Sequence, residues 1–546
     1  MNPANIASHL PAMAQQQPDT AAVIVPQGHG KYISYSYKQL NEESDILARG
    51  LQQQGITKGT RTVLMVTPGL EFFALVFALF KIGAVMVAVD PGMGIRNLGK
   101  CLQEAEPTAF IGILKAHIAR ILLGWARKSN RLNILASSAY GIGMPNLKTL
   151  RAAGLQNRQL ALPETSANDM AAILFTSGST GVPKGVVYTH ANFTAQVAAL
   201  KDEFNIQAGE IDLGTFPLFA LFAPALGMTS VIPRMDFTRP GQVDPRVIID
   251  AINDFSVTTM FGSPALLNRV GRWGVDNNIK LPSLKRVLSA GAPVSATVLE
   301  RYQQLLPADA QIFTPYGATE SLPVSSISSD EILAQTSKLT AQGKGVCVGR
   351  PVASIQVSII KISDEPVSNW HDDLLLANNE IGEIVVRGPQ VTEQYFNRPR
   401  STELAKIHAK NGKLYHRMGD VGYLDDNGRL WFCGRLSHRV IIHSGPLFTI
   451  PCEAVFNVHE KVFRTALVGI KKHNTCKPAL CVELEPEHRN ADQDKLRQAL
   501  LEIAACYDHT RMIKNILFHP AFPVDIRHNA KINRHKLALW ASKQLQ

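Results

Sequence analysis

The sequence predicts an α/β protein with a large N-terminal domain of stacked, mostly parallel α/β sheets, a small β subdomain, and a small α+β domain at the C-terminus. Three observations lead to this fold class. The chain has 546 residues, more than one hydrophobic core usually supports. Over roughly the first 350 residues, short β-branched runs alternate with helical patterns. From about Gly382 onward, short strands separated by turn residues replace that alternation.

The alternating part of the chain divides into individual elements. Helical patterns predict helices at Tyr37–Gln54, Ala191–Phe204 and Pro245–Phe255. The most apolar stretch, Phe72–Val89, is interrupted by Lys81, so it predicts a buried helix followed by a buried strand and not a membrane span. The short apolar runs predict strands at Arg61–Val66, Ala84–Val89, Ala109–Ile113, Ala171–Phe175, Gly185–Tyr188, Val257–Met260 and Arg286–Ser289.

The later part of the chain predicts two smaller units. We place the main boundary at Gly434–Ser437, which gives domains 1–434 and 435–546. The polar segment Ser329–Gly345 predicts a mobile loop. Strands are predicted at Ile384–Arg387, Gly422–Leu424, Arg429–Cys433, Arg464–Ile470 and Ala479–Leu484, and a helix at Asp492–Cys506.

Composition excludes several classes of protein. Hydrophobic residues make up 45% of the chain, which is typical of a globular protein and not of a disordered one. The net charge of +11 is spread thinly, and no dense Lys/Arg block alternates with aromatic residues, so we expect no nucleic-acid binding. A basic surface of this kind favours anionic substrates and permits weak peripheral association with an acidic membrane surface.

The cysteines and the N-terminus point to a cytoplasmic protein. The seven cysteines are an odd number, scattered along the chain without a C-x-x-C pair, so a disulfide framework or zinc site is not expected. Met1–Ile24 lacks the basic start and continuous apolar core of a signal peptide.

The most informative segment is the loop that follows the predicted strand Ala171–Phe175. It combines four hydroxyl residues, three glycines and a lysine: Thr176, Ser177, Gly178, Ser179, Thr180, Gly181, Val182, Pro183, Lys184 and Gly185. Glycines let backbone N–H groups approach phosphates, hydroxyls donate to phosphate oxygens, and the lysine adds a positive charge. The loop therefore predicts a site for a nucleotide triphosphate.

Two other readings of this loop fail on its own residues. A Walker loop that begins at Gly178 needs a second glycine after four residues, but Pro183 stands there. A hydrolase elbow around Ser179 needs a glycine where Ser177 stands. The remaining alternative to a phosphate-binding loop is a flexible surface turn rich in Gly and Ser, without a binding function.

Further clusters of candidate functional residues follow in order along the chain. Gly291-Ala292-Pro293 offers a flat slot of small residues after a strand. Tyr316-Gly317-Ala318-Thr319-Glu320 combines an aromatic ring, a hydroxyl and a carboxylate. Asp420 ends a His-Arg-Met-Gly-Asp run, Arg435 follows Gly434, and Lys531 lies in a tail near the C-terminus. Taken singly, each has an ordinary reading as a core aromatic, a turn former or a solvated charge.

Together, in this order and spacing, the clusters closely resemble the adenylate-forming superfamily, which includes acyl-CoA synthetases, luciferases and nonribosomal-peptide adenylation domains. The resemblance spans nearly the whole chain and implies ATP and Mg²⁺ as cofactors, with a small C-terminal domain that rotates about the Gly434–Ser437 hinge. It also implies a role for each motif residue. Thr176, Ser177, Gly178, Ser179, Thr180, Gly181 and Lys184 would hold the β- and γ-phosphates; Gly291, Ala292, Pro293, Tyr316 and Gly317 would line the adenine site; Thr319 would contact the α-phosphate, Glu320 would bind Mg²⁺, Asp420 and Arg435 would bind the ribose, and Lys531 would neutralise the charge that develops between carboxylate and α-phosphate.

The identity of the acyl acceptor rests on departures from the acyl-CoA synthetase pattern. Those enzymes usually carry Pro-Leu-Phe-His where this chain has Pro217-Leu218-Phe219-Ala220, and the Ile442–Ile450 segment differs from their CoA-binding segment. Gly434–Val440 and Phe522–Lys531 look most like the β-lactone synthetases of bacterial long-chain olefin biosynthesis. This likeness implies a long-chain 2-alkyl-3-hydroxy fatty acid as substrate, whose own 3-hydroxyl displaces AMP, and partner enzymes in the same pathway.

Alternatives remain open at this stage. The chain could be a long-chain fatty acyl-CoA ligase or fatty acyl-AMP ligase, or a nucleotide-binding protein without catalysis. Retention of Glu320 and Lys531 argues against the last. The acyl pocket is predicted to lie along two apolar stretches, with Phe216, Phe219, Phe261, Gly262 and Leu266 as lining residues. The sequence leaves the oligomeric state and the base for the 3-hydroxyl undetermined; His190, His438 and His528 are candidates by residue type alone.

Overall fold

A computed structural model describes residues 4–28, 30–137, 143–176, 183–472, 475–524 and 532–545 of the chain. Two large sheets with helices between their strands form the N-terminal part, an antiparallel β-rich part follows, and a smaller α+β domain ends the chain. The predicted fold class is thereby confirmed. Within the described ranges, no helix combines the length and hydropathy needed to cross a bilayer.

The first large sheet contains the strands that flank the predicted phosphate loop. Its strands are parallel except the last, which pairs antiparallel with its neighbour. In spatial order they are Leu132–Leu135, Ala109–Gly112, Arg61–Met65, Val85–Val89, Met170–Thr176 and Lys184–Thr189. The accompanying helices are Tyr37–Gln53, Leu70–Lys81, Ile95–Ala105, Leu114–Leu122, Leu147–Gln156 and His190–Glu203.

The helix Leu70–Lys81 lies in the main core of this part. Every residue in it except Glu71 is buried, and the strand Val85–Val89 follows at once, as the sequence predicts. Lys81 is buried at the end of the helix because its ammonium group donates to Asn41 Oδ1 and Asp45 Oδ1, at 2.8 and 2.7 Å. A lysine inside an apolar run is thus satisfied by a neighbouring helix.

The second large sheet is parallel except for one edge hairpin. In spatial order its strands are Gln311–Phe313, Arg286–Leu288, Thr259–Phe261, Ile211–Gly214, Thr229–Val231, Ala21–Gln27 and Lys31–Ser36. Three of its helices begin with a side-chain cap on the backbone N–H groups, from Asp244, Ser263 and Ser295. These helices are Pro245–Asp254, Pro264–Asp276 and Ala296–Gln303.

The β-rich part is antiparallel and carries several residues of the predicted site. Its main sheet runs Val346–Cys347, Leu430–Arg435, Leu414–Leu424, Gly382–Arg387 and Gln356–Ile360, with Lys406–His408 paired to the central strand. A smaller sheet contains Tyr316–Ala318, Ser321–Ser326 and Arg350–Pro351. The predicted β subdomain is confirmed, although its central strand is much longer than the predicted Gly422–Leu424.

The prediction of a mobile loop at Ser329–Gly345 is wrong. The segment is almost entirely helical, as Ser329–Glu331, Ile332–Thr336 and Ser337–Ala341. Ser328 caps its start through Glu331 N, and Ile332 and Leu333 pack against the core of the second sheet. The polar composition reflects one exposed face of a surface helix and not an absence of structure.

The C-terminal domain begins after the strand Leu430–Arg435. Its sheet contains Val462–Lys472, Thr475–Leu484 and Asn515–Phe518, and its helices are Thr449–Asn457, Gln493–Ala505 and Arg534–Gln544. The buried Glu453 carboxylate joins these elements, because it accepts hydrogen bonds from Arg534 and from Leu467 N. Gly434 has φ +126° and leaves no room for a side chain beside Thr449 Oγ1. The domain limits 1–434 and 435–546 remain a prediction.

Candidate active site

The predicted phosphate loop connects two antiparallel strands of the first sheet. The strands Met170–Thr176 and Lys184–Thr189 pair so that Thr176 and Lys184 are direct partners across the ladder. The loop between them is therefore closed at its base. The predicted phosphate-binding residues Ser177, Gly178, Ser179, Thr180 and Gly181 lie outside the described residues.

Lys184 and Glu320 meet on one tyrosine. The Lys184 ammonium group lies 4.9 Å from the centroid of the Tyr395 ring, and the Tyr395 hydroxyl donates a 2.6 Å hydrogen bond to Glu320 Oε1. Burial lowers the pKa of Lys184, and the nearby Glu320 charge opposes that effect. The lysine predicted to hold phosphate and the carboxylate predicted to hold Mg²⁺ are thus brought together, from positions 136 residues apart in the sequence.

The backbone that presents Thr319 and Glu320 is fixed by partners from other elements. Tyr188 donates its hydroxyl hydrogen bond to Thr319 O, and Thr392 donates to Glu320 O through both its N–H and its hydroxyl, at 2.9 and 3.2 Å. Gly317 permits the tight approach of the two small strands, because a Cβ there would lie 2.7 Å from Ser321 O. This motif is therefore held rigidly at the edge of the small sheet.

Lys406 extends this support on the buried side. Lys406 is buried, and its ammonium group donates a hydrogen bond to Thr392 O. Thr392 is the residue that donates two hydrogen bonds to Glu320 O. Burial lowers the pKa of Lys406 to about 7, opposed by the charges of Glu320 and Glu393. Sequence reasoning missed Tyr395, Lys406 and Tyr188, because none lies in a motif and each reaches the site only through the fold.

The predicted ribose and adenine residues form a second connected group. Tyr316 donates a 2.6 Å hydrogen bond to Asp420 Oδ2, and Arg435 Nη1 lies 3.0 Å from Asp420 Oδ1. Asp420 and Arg435 are opposite each other on neighbouring strands, which explains the contact. Burial raises the pKa of Asp420, while Arg435 acts to lower it. Both carboxylate oxygens of Asp420 are thus held in place, Oδ2 by Tyr316 and Oδ1 by Arg435.

The predicted small-residue slot follows a strand of the second sheet. Gly291, Ala292 and Pro293 connect the strand Arg286–Leu288 to the helix Ala296–Gln303, and Gly291 and Pro293 are exposed. Gly291 has φ +98°, a backbone conformation that favours glycine. The slot thus leads from the carboxyl end of a parallel strand, where ligands of α/β sheets usually bind.

The predicted acyl-pocket residues fall into two sets. Phe216, Phe219 and Phe261 are half-buried and form one aromatic cluster, with ring centroids 4.6 to 6.3 Å apart. Gly262 and Leu266 are buried, and Leu266 lies inside the core of the second sheet. The geometry brings the three phenylalanines together and places Leu266 behind them in the chain's own core.

Ala220 occupies a confined position. It is fully buried, and a Cβ placed on Gly214 would lie only 2.6 Å from the Ala220 Cβ. The strand end at Gly214 and the short helix Pro217–Ala220 therefore pack closely, backbone against side chain, at this buried position.

The structure gives no support for His190 or His438 as the base for the 3-hydroxyl. His190 is fully buried, and neither ring nitrogen has a hydrogen-bond partner among the described residues. Burial lowers the pKa of His190 to about 4, and burial together with Arg534 and Arg435 does the same for His438. His528 and the predicted catalytic Lys531 lie outside the described residues.

Comparison with known proteins identifies the family to which the chain belongs. Residues 10–396 match the family model described as AMP-binding enzyme. A curated olefin beta-lactone synthetase from Stenotrophomonas maltophilia (strain K279a) is 50% identical, and the alignment covers 100% of this chain and 99% of that protein. Another, from Xanthomonas campestris pv. campestris, is 48% identical over 99% of this chain and 98% of its own.

A solved structure shows the same fold. The amide bond synthetase of Marinactinospora thermotolerans superposes with a TM-score of 0.79 over 98% of this chain and 99% of that one, at 20% identity. The family model covers well over half of the sequence, and the two bacterial relatives match it from end to end. The chain therefore belongs to the family of AMP-binding enzymes, which use ATP.

Proposed function

We propose that the enzyme adenylates a long-chain 2-alkyl-3-hydroxy fatty acid with ATP and Mg²⁺, and that the 3-hydroxyl of the substrate then closes a β-lactone and releases AMP. The observation that carries this proposal is the identity of 50% and 48%, over essentially the full length, to two proteins named olefin beta-lactone synthetase. The grouping of Lys184, Glu320 and Tyr395 supports the adenylation step.

In the first step, a carboxylate oxygen attacks the α-phosphorus of ATP, and pyrophosphate leaves. Two anions approach each other in this step, so the main task of the protein is to position them and neutralise charge. We assign Lys184 and the loop from Thr176 to Gly181 to the β- and γ-phosphates, Thr319 to the α-phosphate, and Lys531 to the reacting carboxylate and α-phosphate.

Glu320 fits a magnesium site that is shared with the nucleotide. Mg²⁺ prefers carboxylate and phosphate oxygens and is commonly bound by one or two carboxylates together with substrate phosphates. Tyr395 occupies only one side of the Glu320 carboxylate, at Oε1. When bound, Mg²⁺ would offset negative charge on the phosphates; Glu320 would hold it, and Tyr395 would orient Glu320.

Asp420 fits the ribose in the same way. Its carboxylate is held in a fixed orientation by Tyr316 at Oδ2 and by Arg435 at Oδ1, and a carboxylate is the usual acceptor for two neighbouring hydroxyls. We assign the ribose hydroxyls to the Asp420 carboxylate, with Arg435 beside it. We assign the adenine ring to the slot of Gly291, Ala292 and Pro293, with Tyr316 and Gly317 on its other side.

In the second step, the 3-hydroxyl oxygen attacks the carbonyl carbon of the acyl-adenylate. The C–O bond of the lactone forms, the hydroxyl proton passes to solvent water, and the bond from the carbonyl carbon to the AMP oxygen breaks, so that the electron pair leaves with AMP. The attack is intramolecular, so a tethered hydroxyl replaces an external thiol at high effective concentration. The buried position of Ala220 is consistent with a site that does not use the histidine found in acyl-CoA synthetases.

The cluster of Phe216, Phe219 and Phe261 is the proposed lining of the alkyl-chain site, because half-buried aromatic rings can bury methylene groups. Gly262 and Leu266 would form its floor. The substrate must come from an enzyme that makes hydroxy acids, and the strained lactone must pass to one that consumes it. We propose such pathway enzymes as partners, and the cytoplasm as the compartment.

The test is to incubate the enzyme with ATP, Mg²⁺ and a 2-alkyl-3-hydroxy fatty acid in the absence of CoA. We expect equal amounts of AMP and β-lactone. A matched acid without the 3-hydroxyl should give one equivalent of pyrophosphate per enzyme and then stop, because the adenylate has no nucleophile. If the hydroxy acid gives no lactone while a plain fatty acid with CoA gives thioester, the enzyme is an acyl-CoA ligase. Release of adenylate to a carrier protein would indicate a fatty acyl-AMP ligase.

A further inference from the structure

The helix Leu114–Leu122 exposes its apolar side chains to solvent. Leu114, Ile118, Ile121, Leu122 and the following Leu123 have exposed fractions of 55, 48, 64, 78 and 49%. The first four are spaced i, i+4, i+7 and i+8, which places them on one face of the helix. Large aliphatic residues normally face the core, so this stripe, which we call the 114–123 face, needs a separate explanation.

Packing of the helix against the protein does not use this face. The helix contacts the first sheet through His117, whose Nε2 lies 2.9 Å from Ile134 O and whose ring lies 5.1 Å from the Phe110 ring. The Arg120 guanidinium group also packs on the Phe110 ring, 5.6 Å from its centroid. Since His117 and small alanines supply the contact, the aliphatic stripe is not needed to hold the helix in place.

The sequence around the 114–123 face is basic, although one of its arginines, Arg151, is paired with Glu43 at 2.6 Å. Between Glu106 and Glu164 the sequence contains eight Lys and Arg residues and no Asp or Glu. The segment therefore carries +8, compared with +11 for the whole chain. The basic residues are Lys115, Arg120, Arg127, Lys128, Arg131, Lys148, Arg151 and Arg158. Lys115, Arg127, Lys128 and Arg131, the four nearest in sequence to the exposed stripe apart from Arg120, are all exposed.

We propose that the 114–123 face docks on the anionic surface of a lipid bilayer. A helix with an aliphatic stripe and basic flanks is the pattern of an interfacial helix, which lies in the headgroup region with its apolar side buried. Nine residues are far too few to cross the bilayer, so the helix lies on the membrane and does not span it. Each nearby Lys or Arg adds attraction to acidic lipids.

A bilayer matches this surface better than a protein partner does. The centres of protein interfaces are enriched in aromatic residues, whereas this stripe contains only leucine and isoleucine. The exposed basic residues Lys115, Arg127, Lys128 and Arg131 near the stripe are complementary in charge to an anionic lipid surface. Membrane docking would also place the enzyme where long-chain acids collect, a benefit that rests on the proposed function; the docking itself does not.

The test is flotation of the full-length protein with vesicles, without substrate or turnover. Vesicles that contain phosphatidylglycerol are compared with vesicles of phosphatidylcholine alone, at low and high salt. The variant Ile121→Gln/Leu122→Gln removes the two most exposed side chains of the stripe. The control Val458→Gln/Leu539→Gln removes side chains of similar exposure, 60 and 55%, elsewhere on the surface. Thermal melting establishes that all variants fold.

We expect the wild-type protein and the control to float with phosphatidylglycerol vesicles at low salt, and binding to fall at high salt. The Ile121→Gln/Leu122→Gln variant should bind about tenfold or more weakly, because two aliphatic side chains no longer enter the interface. Pyrophosphate release from a soluble short-chain acid should be the same in all three. Equal flotation of variant and wild type would overturn the proposal. The proposal would also be overturned if the wild-type protein did not float but self-associated, and the variant lost that self-association. The face would then be an interface between copies of the protein.

Discussion

The Tyr395 hydroxyl donates a 2.6 Å hydrogen bond to Glu320, and the same ring lies beneath the Lys184 ammonium group at 4.9 Å. One side chain from the β-rich part thus orients both the carboxylate proposed to bind Mg²⁺ and the lysine proposed to bind phosphate. Groups that hold a metal ligand in place commonly affect metal affinity or activity by 10- to 100-fold. We therefore propose Tyr395 as a positioning residue for the adenylation step.

Replacement of this hydroxyl should weaken the use of Mg²⁺. In Tyr395→Phe the ring remains under Lys184, but Glu320 loses its donor. We expect pyrophosphate release at limiting Mg²⁺ to fall by about 10- to 100-fold, with partial recovery at high Mg²⁺. The control is Tyr415→Phe, a stacked tyrosine on Trp370 in the same part of the protein. A Tyr395→Phe enzyme with an unchanged Mg²⁺ dependence would remove Tyr395 from this role.

The Asp420 carboxylate should control nucleotide affinity. Asp420→Asn keeps the shape but loses one acceptor and the charge that pairs with Arg435, so the KM for ATP should rise about tenfold or more. Tyr316→Phe should have a smaller effect in the same direction, since it removes only the donor to Oδ2. Asp426→Asn, which contacts surface asparagines, serves as the control. Calorimetric AMP binding that is equal in Asp420→Asn and the control would contradict the assignment.

His190 should make the protein sensitive to acid. Burial lowers its pKa to about 4 in the folded state, with a smaller opposing effect from Asp169 and a lowering effect from Lys58. In the unfolded chain its pKa is about 6.5, so the unfolded state binds more protons between these values. The free energy of unfolding must therefore fall as the pH drops below about 6.5, by about 2 kcal/mol between pH 7 and pH 5 from this residue.

The measurement is urea unfolding of wild type and His190→Gln at both pH values. The variant should lose about 2 kcal/mol less stability on acidification than the wild type. His408→Gln changes an exposed histidine and should leave the difference between pH values as it is in the wild type. The same acid-dependent loss in His190→Gln and wild type would show that His190 does not stay neutral in the fold.

Lys531 should act in the chemical step and not in nucleotide binding. The resemblance assigns it to the charge between carboxylate and α-phosphate, so Lys531→Ala should slow pyrophosphate release by about 100-fold or more while ATP affinity persists. Lys536→Ala, an exposed lysine in the next helix, is the matched control. Pyrophosphate release by Lys531→Ala at the control rate would refute the assignment.

Local patterns predicted the elements of this fold well. The helix pattern Tyr37–Gln54 corresponds to Tyr37–Gln53, and the strand pattern Arg61–Val66 to Arg61–Met65, because each has a clear period and a clear stop. The prediction of a mobile loop at Ser329–Gly345 was wrong, since polarity alone does not distinguish a loop from a helix with one exposed face.

The site was predictable only in part, for a physical reason. Asp420 and Arg435 carry recognisable motifs and prove to be partners across two strands. Tyr395 and Lys406 have no local signal: Tyr395 bonds Glu320 from 75 residues away in the sequence, whereas Lys406 supports it through Thr392. The exposure of the 114–123 face could not be predicted either, because its sequence has the period of an ordinary buried helix.

The most direct measurement follows oxygen atoms through the reaction. Substrate labelled with ¹⁸O in both carboxylate oxygens is converted in the presence of ATP and Mg²⁺, and AMP and product are analysed by mass spectrometry. If the 3-hydroxyl displaces AMP from an acyl-adenylate, each AMP carries one ¹⁸O and the lactone keeps the other in its carbonyl group. Unlabelled AMP, with both labels in the lactone, would mean that the hydroxyl and not the carboxylate is activated, and would contradict the account.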